Sequence, residues 1–387
     1  MSDDDTNPGA LLPNGMLDGL PDTAERETEI THTLLQTFAG FGYREVNPPL
    51  VEFEESLLSE TGGVALSKNT FRLMDPVSRR MMAIRSDTTT QIVRIAASRL
   101  KSSPRPLRLS YVADVLRVKG SQLRPERQFR QAGCELLGSN SPEASVEVAL
   151  LAVYALHQLG VKNISIDFAT PDIIRALMPE DGAEAFLKAC QRRDEADFKA
   201  FGPTGKILSV LSQLAGDADG FFKQIEKKKL PPKISASFTR LKKVITGFRD
   251  GLKAYGLSDS VTITVDPLET RGFEYQTLPS FTLFARGVRG ELGRGGFYEA
   301  SFQLSAKKAH KEPANGFTLY MDSVLRAVPA RKALKRIYVP AGTPWAQVRK
   351  IQQDGSIIRG TEAKVTPKDL AALGCTHIYK NSKIQSL

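Results

Sequence analysis

The first strong pattern in the chain is a stripe of apolar residues at helical spacing. Ile30, Leu34 and Phe38 fall on one side of a helix whose other sides are largely polar. Asp22 is a suitable residue to start this helix, and Gly40 is a suitable residue to end it. The pattern therefore predicts one long helix that buries a single face.

Further along, apolar and polar residues alternate in short stretches, which is the period of β-strands. The turn residues 75–79 separate two of these stretches and predict a hairpin. Helical spacing returns at 145–159 and 321–327. The predicted strands are 43–46, 70–75, 80–85, 107–116, 129–137, 164–168, 261–265, 275–285 and 334–339.

Residues 172–256 interrupt this alternation, because Ala, Lys, Asp and Leu dominate there and apparent helices follow one another. We therefore expect a helical insertion between two parts of a core, 13–171 and 257–330. Residues 1–12 lack a periodic pattern and are expected to be flexible, while 331–387 are expected to form a small α/β tail. Antiparallel strands with helices and an inserted lobe place the fold in the α+β class.

The 387 residues carry a formal net charge of +10, which is compatible with binding a polyanion. Basic residues are dense in 223–249, where Glu226 is the single acid and Phe238 and Phe248 are the aromatic residues. This surface is either a solvated helix face or a polyanion contact, and charge alone does not separate the two. The basic residues are Lys223, Lys227, Lys228, Lys229, Lys233, Arg240, Lys242, Lys243 and Arg249.

Several classes of protein are not expected. No apolar run approaches the roughly 20 residues that span a bilayer, and the acidic start is unlike a signal peptide, so we expect a cytoplasmic protein. The three cysteines lie far apart, which argues against a disulfide framework or a cysteine zinc site. The four histidines are isolated as well, so neither a metal nor another cofactor is predicted.

The segment I-R-S-D-T-T-T-Q at 84–91 follows a predicted strand with an arginine, an acid and three hydroxyl groups. Polar groups at a strand end commonly face a ligand, and Asp87 with Thr89 would suit an ammonium group. The same residues also suit a helix start, where Asp87 or a threonine would be the cap. The pattern alone leaves both interpretations open.

Gln131 and Glu135 are four positions apart on a predicted strand, so their side chains project to one face. Gly133 lies between them and would leave room for a ligand to approach the backbone. An amide and a carboxylate around a glycine suit an ammonium group. The alternative is a face that is simply exposed to solvent.

Four arginines surround the polar loop 117–128, and a cluster of guanidinium groups suits carboxylate or phosphate binding, although a solvated turn is the alternative. Two later segments also attract attention, R-G-F-E-Y-Q-T at 271–277 and E-L-G-R-G-G-F-Y-E at 291–299. The second is either part of a site or a glycine-rich hairpin. The four arginines are Arg117, Arg124, Arg127 and Arg130.

These segments have the order and spacing of the histidyl-tRNA synthetase catalytic core, which 11–330 resembles. F-R-Q-A-G-C-E-L-L-G at 129–138 is similar to its motif 2, and R-G-F-E-Y-Q-T is similar to its histidine-specific signature. The resemblance implies a class II aminoacyl-tRNA synthetase-like antiparallel sheet core, with Arg117 as the former contact to the ATP α-phosphate. The histidine-binding residues that it implies are Asp87, Thr89, Gln131, Glu135, Arg271 and Tyr275.

The chain departs from the synthetase where ATP would bind. Phe297 stands in place of an arginine, and Tyr320 occupies a glycine position beside the adenine site. Asp322 and Ser323 replace the Glu-Arg pair of motif 3. Loss of one such donor removes about 3–4 kcal/mol of barrier lowering, so we do not expect adenylate formation.

This combination resembles the regulatory subunits of ATP phosphoribosyltransferase, and 49–57, 71–80 and 85–96 are similar to that family. The resemblance implies a non-catalytic subunit that activates the short-form catalytic subunit in the first step of histidine biosynthesis. It also implies feedback inhibition by L-histidine, a hetero-octamer with the catalytic subunit, and a homodimer through the motif 1-like helix and strand. Whether histidine acts in the synthetase-like pocket or at the subunit contact is open.

Two other functions stay open from the sequence. A divergent histidyl-tRNA synthetase would catalyse histidine-dependent ATP–pyrophosphate exchange, against which Ser323 argues. A tRNA-binding module would use the basic 223–249 surface and would bind RNA with steep salt dependence. On the resemblance, tRNA is not an expected partner.

Overall fold

The computed structural model describes residues 11–58, 66–120, 124–270, 276–305, 308–330, 335–361 and 365–387. Residues 1–10 of the segment expected to be flexible lie outside this part of the chain, as do Arg271 and Tyr275. The chain forms two compact units, Met1–Pro329 and Ala330–Leu387.

The elements of the larger unit follow the predicted order closely. Its strands are β1 (Arg44–Glu45), β2 (Val51–Phe53), β3 (Arg72–Met74), β4 (Met81–Ile84), β5 (Leu107–Leu116), β6 (Gln128–Leu137), β7 (Ile164–Ala169), β8 (Gly216–Asp217), β9 (Val261–Val265), β10 (Gln276–Ala285), β11 (Gly293–Ser305) and β12 (Lys308–Tyr320). Its helices are α1 (Pro21–Gly40), α2 (Glu54–Leu57), α3 (Thr89–Ser98), α4 (Pro142–Gln158), α5 (Pro171–Leu177), α6 (Ala183–Arg192), α7 (Glu195–Lys199), α8 (Gly202–Leu214), α9 (Ala218–Ile225), α10 (Pro232–Ala254) and α11 (Met321–Ala327).

The main sheet has nine strands in the order β1-β5-β6-β12-β11-β10-β7-β9-β8. Its centre is antiparallel, as predicted, whereas β1 runs parallel to β5 and β7 runs parallel to β9. Strands β2, β4 and β3 form a separate small sheet that contains the predicted hairpin. Between β6 and β12, Gln131 lies opposite Tyr320 and Glu135 lies opposite Gly316. This register places the two segments of the candidate site side by side.

One face of the main sheet is covered by α1 and α4. Ile30, Leu34 and Phe38 are the buried residues of α1, so the predicted single buried face is confirmed. Phe38 packs edge-to-face on Phe317 of β12, with ring centroids 5.7 Å apart. The helix begins at Pro21 after Leu20, which does not cap it through a side chain. Asp22 therefore lies in the first turn and is not the cap.

The helical insertion is held against the core by its last helix. On α10, a Cβ atom at Gly251 would lie 2.7 Å from Leu150 Cδ2 of α4, so the glycine allows the two helices to approach closely. Phe248 of the same helix packs on Phe168 of β7, with ring centroids 5.7 Å apart. The segment also contains β8, which pairs with β9, so it is mostly but not wholly helical.

The opposite face of the sheet is covered in part by α3. Ile92 and Ala96 of this helix share a buried cluster with Leu109 and Tyr111 of β5 and Tyr298 of β11. The helix is amphipathic, and packing its apolar side on the sheet directs its N-terminus toward β6. The polar residues 87–89 thereby reach the middle of the sheet.

The long hairpin formed by β11 and β12 was not predicted beyond the glycine-rich stretch. Glycines at 293, 295, 296 and 316 interrupt the alternation of apolar and polar side chains by which a strand is recognised. They are required there because neighbouring groups fill the space. A Cβ atom at Gly295 would lie 2.5 Å from the Gly316 carbonyl oxygen and 2.5 Å from the Phe281 ring.

The smaller unit is an α/β unit with the strands β13 (Arg336–Val339), β14 (Ser356–Arg359), β15 (His377–Lys380) and β16 (Lys383–Ser386) and the helices α12 (Trp345–Ile351) and α13 (Pro367–Ala372). Strand β13 runs parallel to β14 on one side and to β15 on the other, and β16 is antiparallel to β15. One apolar cluster joins α12 to the sheet, and another contains Leu370 of α13.

Candidate functional site

The start of α3 and strand β6 meet in a set of hydrogen bonds. Gln131 Oε1 accepts from the backbone N and from the hydroxyl of Thr88, at 3.1 Å each. Gln131 Nε2 donates to Asp87 Oδ2 at 3.0 Å, and Asp87 Oδ1 accepts from the backbone N of Thr89 at 3.0 Å. Asp87 therefore accepts a hydrogen bond from the first turn of α3 with one oxygen and from Gln131 of β6 with the other.

Glu135 projects from the same face of β6 as Gln131. Its side chain is buried, and Oε2 accepts a hydrogen bond from the Tyr298 hydroxyl at 2.7 Å. Burial raises the pKa of the Glu135 carboxyl to about 8, although hydrogen bonds from Tyr298 and Thr89 act in the opposite direction. Gln131 is fully buried as well, so a merely solvent-exposed face is excluded.

The space over Gly133 is filled rather than open. A Cβ atom there would lie 2.5 Å from the Tyr111 hydroxyl and 2.3 Å from the Phe317 carbonyl oxygen. Tyr111 is fully buried, and its hydroxyl lies 2.8 Å from Thr318 Oγ1. The expectation that this glycine leaves room for a ligand is therefore wrong, because the room is taken by Tyr111.

Gly316 is a site residue that sequence reasoning missed. A Cβ atom at this position would lie 1.8 Å from Glu135 Oε2, so the carboxylate rests directly on the glycine of the neighbouring strand. Tyr111, Tyr298 and Thr318 were also missed. Their part in the site follows from strand pairing, since each lies on a strand other than β6. Tyr298 stands in the segment 291–299, and Gly316 and Thr318 stand in the motif 3 segment 316–323, but neither segment was predicted to face Glu135.

The residues that flank Asp87 are structural. Arg85 donates to the Asp114 carbonyl oxygen at 2.6 Å and to the Pro48 carbonyl oxygen at 2.9 Å. Gln91 donates to the Pro49 carbonyl oxygen at 2.7 Å and to Glu52 Oε1 at 2.9 Å. These bonds fix both ends of the segment 85–91, and they hold Asp87 in place between them.

A second cluster fills the region where the synthetase resemblance places adenine. The Arg124 guanidinium lies over the Tyr320 ring at 3.7 Å, and Tyr320 packs edge-to-face on Phe129. Arg117 lies over the other aromatic ring, Phe129, at 4.8 Å, and its Nε donates to the Ser86 carbonyl oxygen at 3.3 Å. Both guanidinium groups are thus engaged within the protein, and Tyr320 is buried.

Acidic residues complete this cluster. Arg124 pairs with Asp322 at 3.2 Å and lies 3.7 Å from Glu291. Ser323 stands where motif 3 of the synthetase has an arginine. Its side chain is buried, and its hydroxyl accepts a hydrogen bond from Arg326 Nη2 at 3.0 Å. The side chain of Arg124 is 11% exposed, so at least this part of the arginine-rich loop is not a solvated turn.

The two remaining predicted site residues, Arg271 and Tyr275, lie outside the described residues. The turn that leads to them is anchored by the insertion. Gln191 donates to Thr270 Oγ1 at 3.1 Å, and Arg193 forms an ion pair with Asp266. The insertion is thereby attached to the chain directly before position 271.

The basic helices at 223–249 do not present their aromatic residues to solvent. Phe238 is 5% exposed and Phe248 is fully buried, so neither can stack on a base. Two of the basic residues form ion pairs: Lys242 with Glu226, and Arg249 with Asp219 at 2.6 Å. The geometry favours the solvated helix face over a nucleic-acid contact at this surface.

In the described ranges no helix is long and apolar enough to cross a membrane. The same part of the chain contains no group of three or more His, Cys, Asp or Glu side chains that could hold a metal ion. The three cysteines are buried and are not joined in disulfides.

Comparison with known sequences identifies relatives along the whole chain. The family model described as histidyl-tRNA synthetase matches residues 15–324. The ATP phosphoribosyltransferase regulatory subunit of Rhodospirillum centenum is 44% identical, over 100% of this chain and 99% of its own length. That of Paramagnetospirillum magneticum is 45% identical over 95% of each chain.

Solved structures show the same fold. An ATP phosphoribosyltransferase regulatory subunit/histidyl-tRNA synthetase from Bacillus halodurans superposes with a TM-score of 0.78 at 21% identity, covering 98% of this chain and 99% of that one. Histidyl-tRNA synthetase from Nostoc sp. PCC 7120 superposes with a TM-score of 0.76 at 16% identity, covering 95% of this chain and 90% of that one. The class II synthetase-like α+β fold predicted from the sequence is confirmed.

Proposed function

The chain belongs to the family of ATP phosphoribosyltransferase regulatory subunits, and we propose that it activates a short-form catalytic subunit and makes that enzyme sensitive to L-histidine. In this proposal the chain is not itself catalytic. It binds histidine at the site formed by α3, β6 and β11. The observation that carries the proposal is a set of ammonium-binding acceptors next to a closed ATP region. The relatives' names do not favour the alternative of a divergent synthetase.

The acceptors suit the α-ammonium group of an amino acid. Asp87 Oδ2 accepts from Gln131 Nε2, and the Glu135 carboxyl accepts from the Tyr298 hydroxyl and from Thr89, all of which are neutral donors. A carboxylate oxygen has more than one acceptor position, so each can take a further, charge-assisted bond. An ammonium group would also supply the counter-charge that the buried Glu135 does not receive from the described residues, and would favour its ionised form. Arg271 and Tyr275 are proposed as further contacts to histidine by family resemblance.

The ATP region supports a non-catalytic role. Adenylate formation develops negative charge on phosphate, and a synthetase stabilises it with preorganised arginines. Here Ser323 stands at one arginine position, and Arg124 is paired with Asp322 across the buried Tyr320 ring. We expect no histidine-dependent ATP–pyrophosphate exchange above background, measured beside a working histidyl-tRNA synthetase. Exchange at a synthetase-like rate would contradict the non-catalytic role.

The proposed assembly has two contacts. One is a homodimer through α1 and β1, and the exposed Leu17 and Leu20 just before α1 suit an apolar contact there. The other joins the chain to the catalytic subunit in a hetero-octamer, as the family resemblance implies. Histidine inhibition then requires that histidine favour one state of this complex, with a coupling free energy of about 1–3 kcal/mol.

The test is a reconstitution. The phosphoribosyltransferase rate of the short-form catalytic subunit from the same genome is measured alone, with this chain, and with this chain plus L-histidine. The proposal predicts activation by the chain and inhibition when histidine is added. A rate that the chain leaves unchanged would remove the regulatory role. Activation without histidine inhibition would support the proposed assembly and contradict the proposed histidine site.

A further inference from the structure

The smaller unit carries as much net positive charge as the basic helices, where 223–249 hold nine basic residues and one acid. Ala330–Leu387 contains eleven Lys and Arg residues against three Asp and Glu residues, which is a net charge of +8 out of +10 for the whole chain. No ion pair joins two described residues of this unit. One described acid, Asp369, is engaged by the backbone N and hydroxyl of Thr366 in a helix cap. The unit therefore carries a large uncompensated positive charge.

The only tryptophan of the chain lies in this unit and is exposed. Trp345 is the first residue of α12 and keeps 69% of its surface open to solvent. The Arg359 guanidinium, at the end of β14, covers one face of the indole at 3.6 Å. Arg359 Nη2 also donates to the Thr343 carbonyl oxygen at 3.2 Å, which holds the pair together. One indole face is thus supported by a cation, and the other is free.

The topology places further cations at the same end of the small sheet, where β13, β14 and β15 finish. The chain leaves β13 through α12 to β14 on one side, and then passes through α13 to β15 on the other side. In such parallel arrangements the crevice at the carboxyl ends of the strands is where ligands bind. Arg359 ends β14 and Lys380 ends β15, while Lys383 pairs directly with Lys380. Lys380 and Lys383 are exposed.

We propose that this end of the small sheet binds single-stranded nucleic acid. A base stacks on the free face of Trp345, whose other face is held by Arg359, and the phosphates contact Lys380 and Lys383. An exposed aromatic ring beside a row of cations is the combination by which proteins hold single strands without regard to sequence. An acidic peptide would use the charges but leave the indole without a function. An anionic membrane would need more apolar surface than Trp345 and the separate Leu373 and Leu387 provide.

The proposed site uses residues of the smaller unit alone, so it is tested on the full chain without the catalytic subunit and without histidine. Binding of a labelled 12-residue oligouridylate is followed by fluorescence anisotropy, and binding of the unlabelled oligomer is followed by the emission of Trp345. We expect saturable quenching and an affinity that falls steeply with salt. Trp345→Ala is expected to weaken binding about tenfold, whereas Trp345→Phe stays close to the wild type.

The charge contribution is tested with a matched pair of double variants. Lys380→Gln with Lys383→Gln is expected to weaken binding and to lower the salt dependence, because fewer counterions are released. Lys227→Gln with Lys228→Gln removes the same charge from the basic helices and is expected to leave binding unchanged. The proposal is overturned if Trp345→Ala binds as tightly as wild type, or if the loss follows the Lys227 and Lys228 pair. It is equally overturned if poly-glutamate or phosphatidylglycerol vesicles quench Trp345 at lower charge concentration than oligouridylate.

Discussion

Glu135 connects the candidate site to the packing of the sheet. Its carboxyl rests on Gly316, accepts from Tyr298 and is removed from solvent. A buried carboxylate without a counter-charge is costly, and the folded chain therefore favours its protonated form. In our proposal histidine supplies that counter-charge, so binding at neutral pH is coupled to release of a proton. The protonation state of Glu135 would thus respond to a cationic ligand, because its buried surroundings do not stabilise the ionised carboxylate.

The pH dependence of stability tests this property of Glu135. Its folded-state pKa of about 8 lies above the ordinary value of 4.5, so its contribution to stability is fully present below 4.5. That contribution is lost as the pH rises through about 8, by an amount on the order of a few kcal/mol. Glu135→Gln cannot ionise, so the free energy of unfolding, measured in urea at pH 5 and pH 9, should fall less than in the wild type. An equal fall in both proteins would show that Glu135 does not carry the effect.

Gly316 is predicted to be as sensitive as the carboxylate that it supports. Gly316→Ala places a Cβ atom 1.8 Å from Glu135 Oε2 and 2.9 Å from the Cys134 carbonyl oxygen, so Glu135 must move. We expect a loss of about 1–3 kcal/mol in unfolding free energy and weaker histidine binding in calorimetry. Gly40→Ala is the control, since nothing lies within 4 Å of a Cβ there. A Gly316→Ala protein that matches this control would refute the contact.

At the scale of elements, a helix or strand could be predicted where the spacing of its apolar residues matches the face that it buries. Helix α1 and strands β5 and β6 were predicted almost to the residue, because one face of the helix is apolar and the strands are dense in apolar residues. The β11–β12 hairpin was not predicted, since its glycines allow close contacts with residues distant in sequence and interrupt the strand pattern. The residues of the candidate site divide in the same way, into those that local sequence reveals and those that only strand pairing reveals. Asp87, Gln131 and Glu135 stand in recognisable segments, whereas Tyr111 enters the site only through strand register.

Helix α10 shows a second effect that only the fold reveals. Its spacing predicts a helix in an inserted lobe, but its buried side, with Phe248 on Phe168 and Gly251 on Leu150, is part of the core. The insertion also anchors the turn before position 271 through Arg193 and Gln191. We therefore regard the insertion as a support of the sheet rather than an independent lobe.

Phe248→Ala tests this role of the insertion. The ring is fully buried, so its removal should lower the free energy of unfolding by about 3–5 kcal/mol. Lys243→Ala, on the exposed side of the same helix, should change it by less than about 0.5 kcal/mol. The measurement is urea unfolding followed by far-ultraviolet circular dichroism. If Phe248→Ala is as mild as Lys243→Ala, the insertion does not share the core.

At the scale of the whole molecule, two neighbouring regions differ in whether their polar groups remain available to a ligand. In our proposal the region of Asp87, Gln131 and Glu135 keeps acceptors for an amino acid, while the region of Arg124 and Tyr320 is closed by the ion pair of Arg124 with Asp322 and by the Tyr320 ring. A chain of this kind can bind an amino acid without activating it. In our proposal, the free energy of histidine binding is then available to change the complex with a partner rather than to drive a reaction within this chain.

The most direct test of this account is histidine inhibition of the reconstituted complex with the wild-type chain and with Glu135→Ala. We predict that both chains activate the catalytic subunit and that Glu135→Ala raises the histidine concentration for half inhibition at least tenfold, because a charge-assisted hydrogen bond to the ammonium group is lost. Glu299→Gln, an exposed acid on β11, is the control and should behave as the wild type. Full histidine inhibition with Glu135→Ala would contradict the account and place the histidine site elsewhere in the complex.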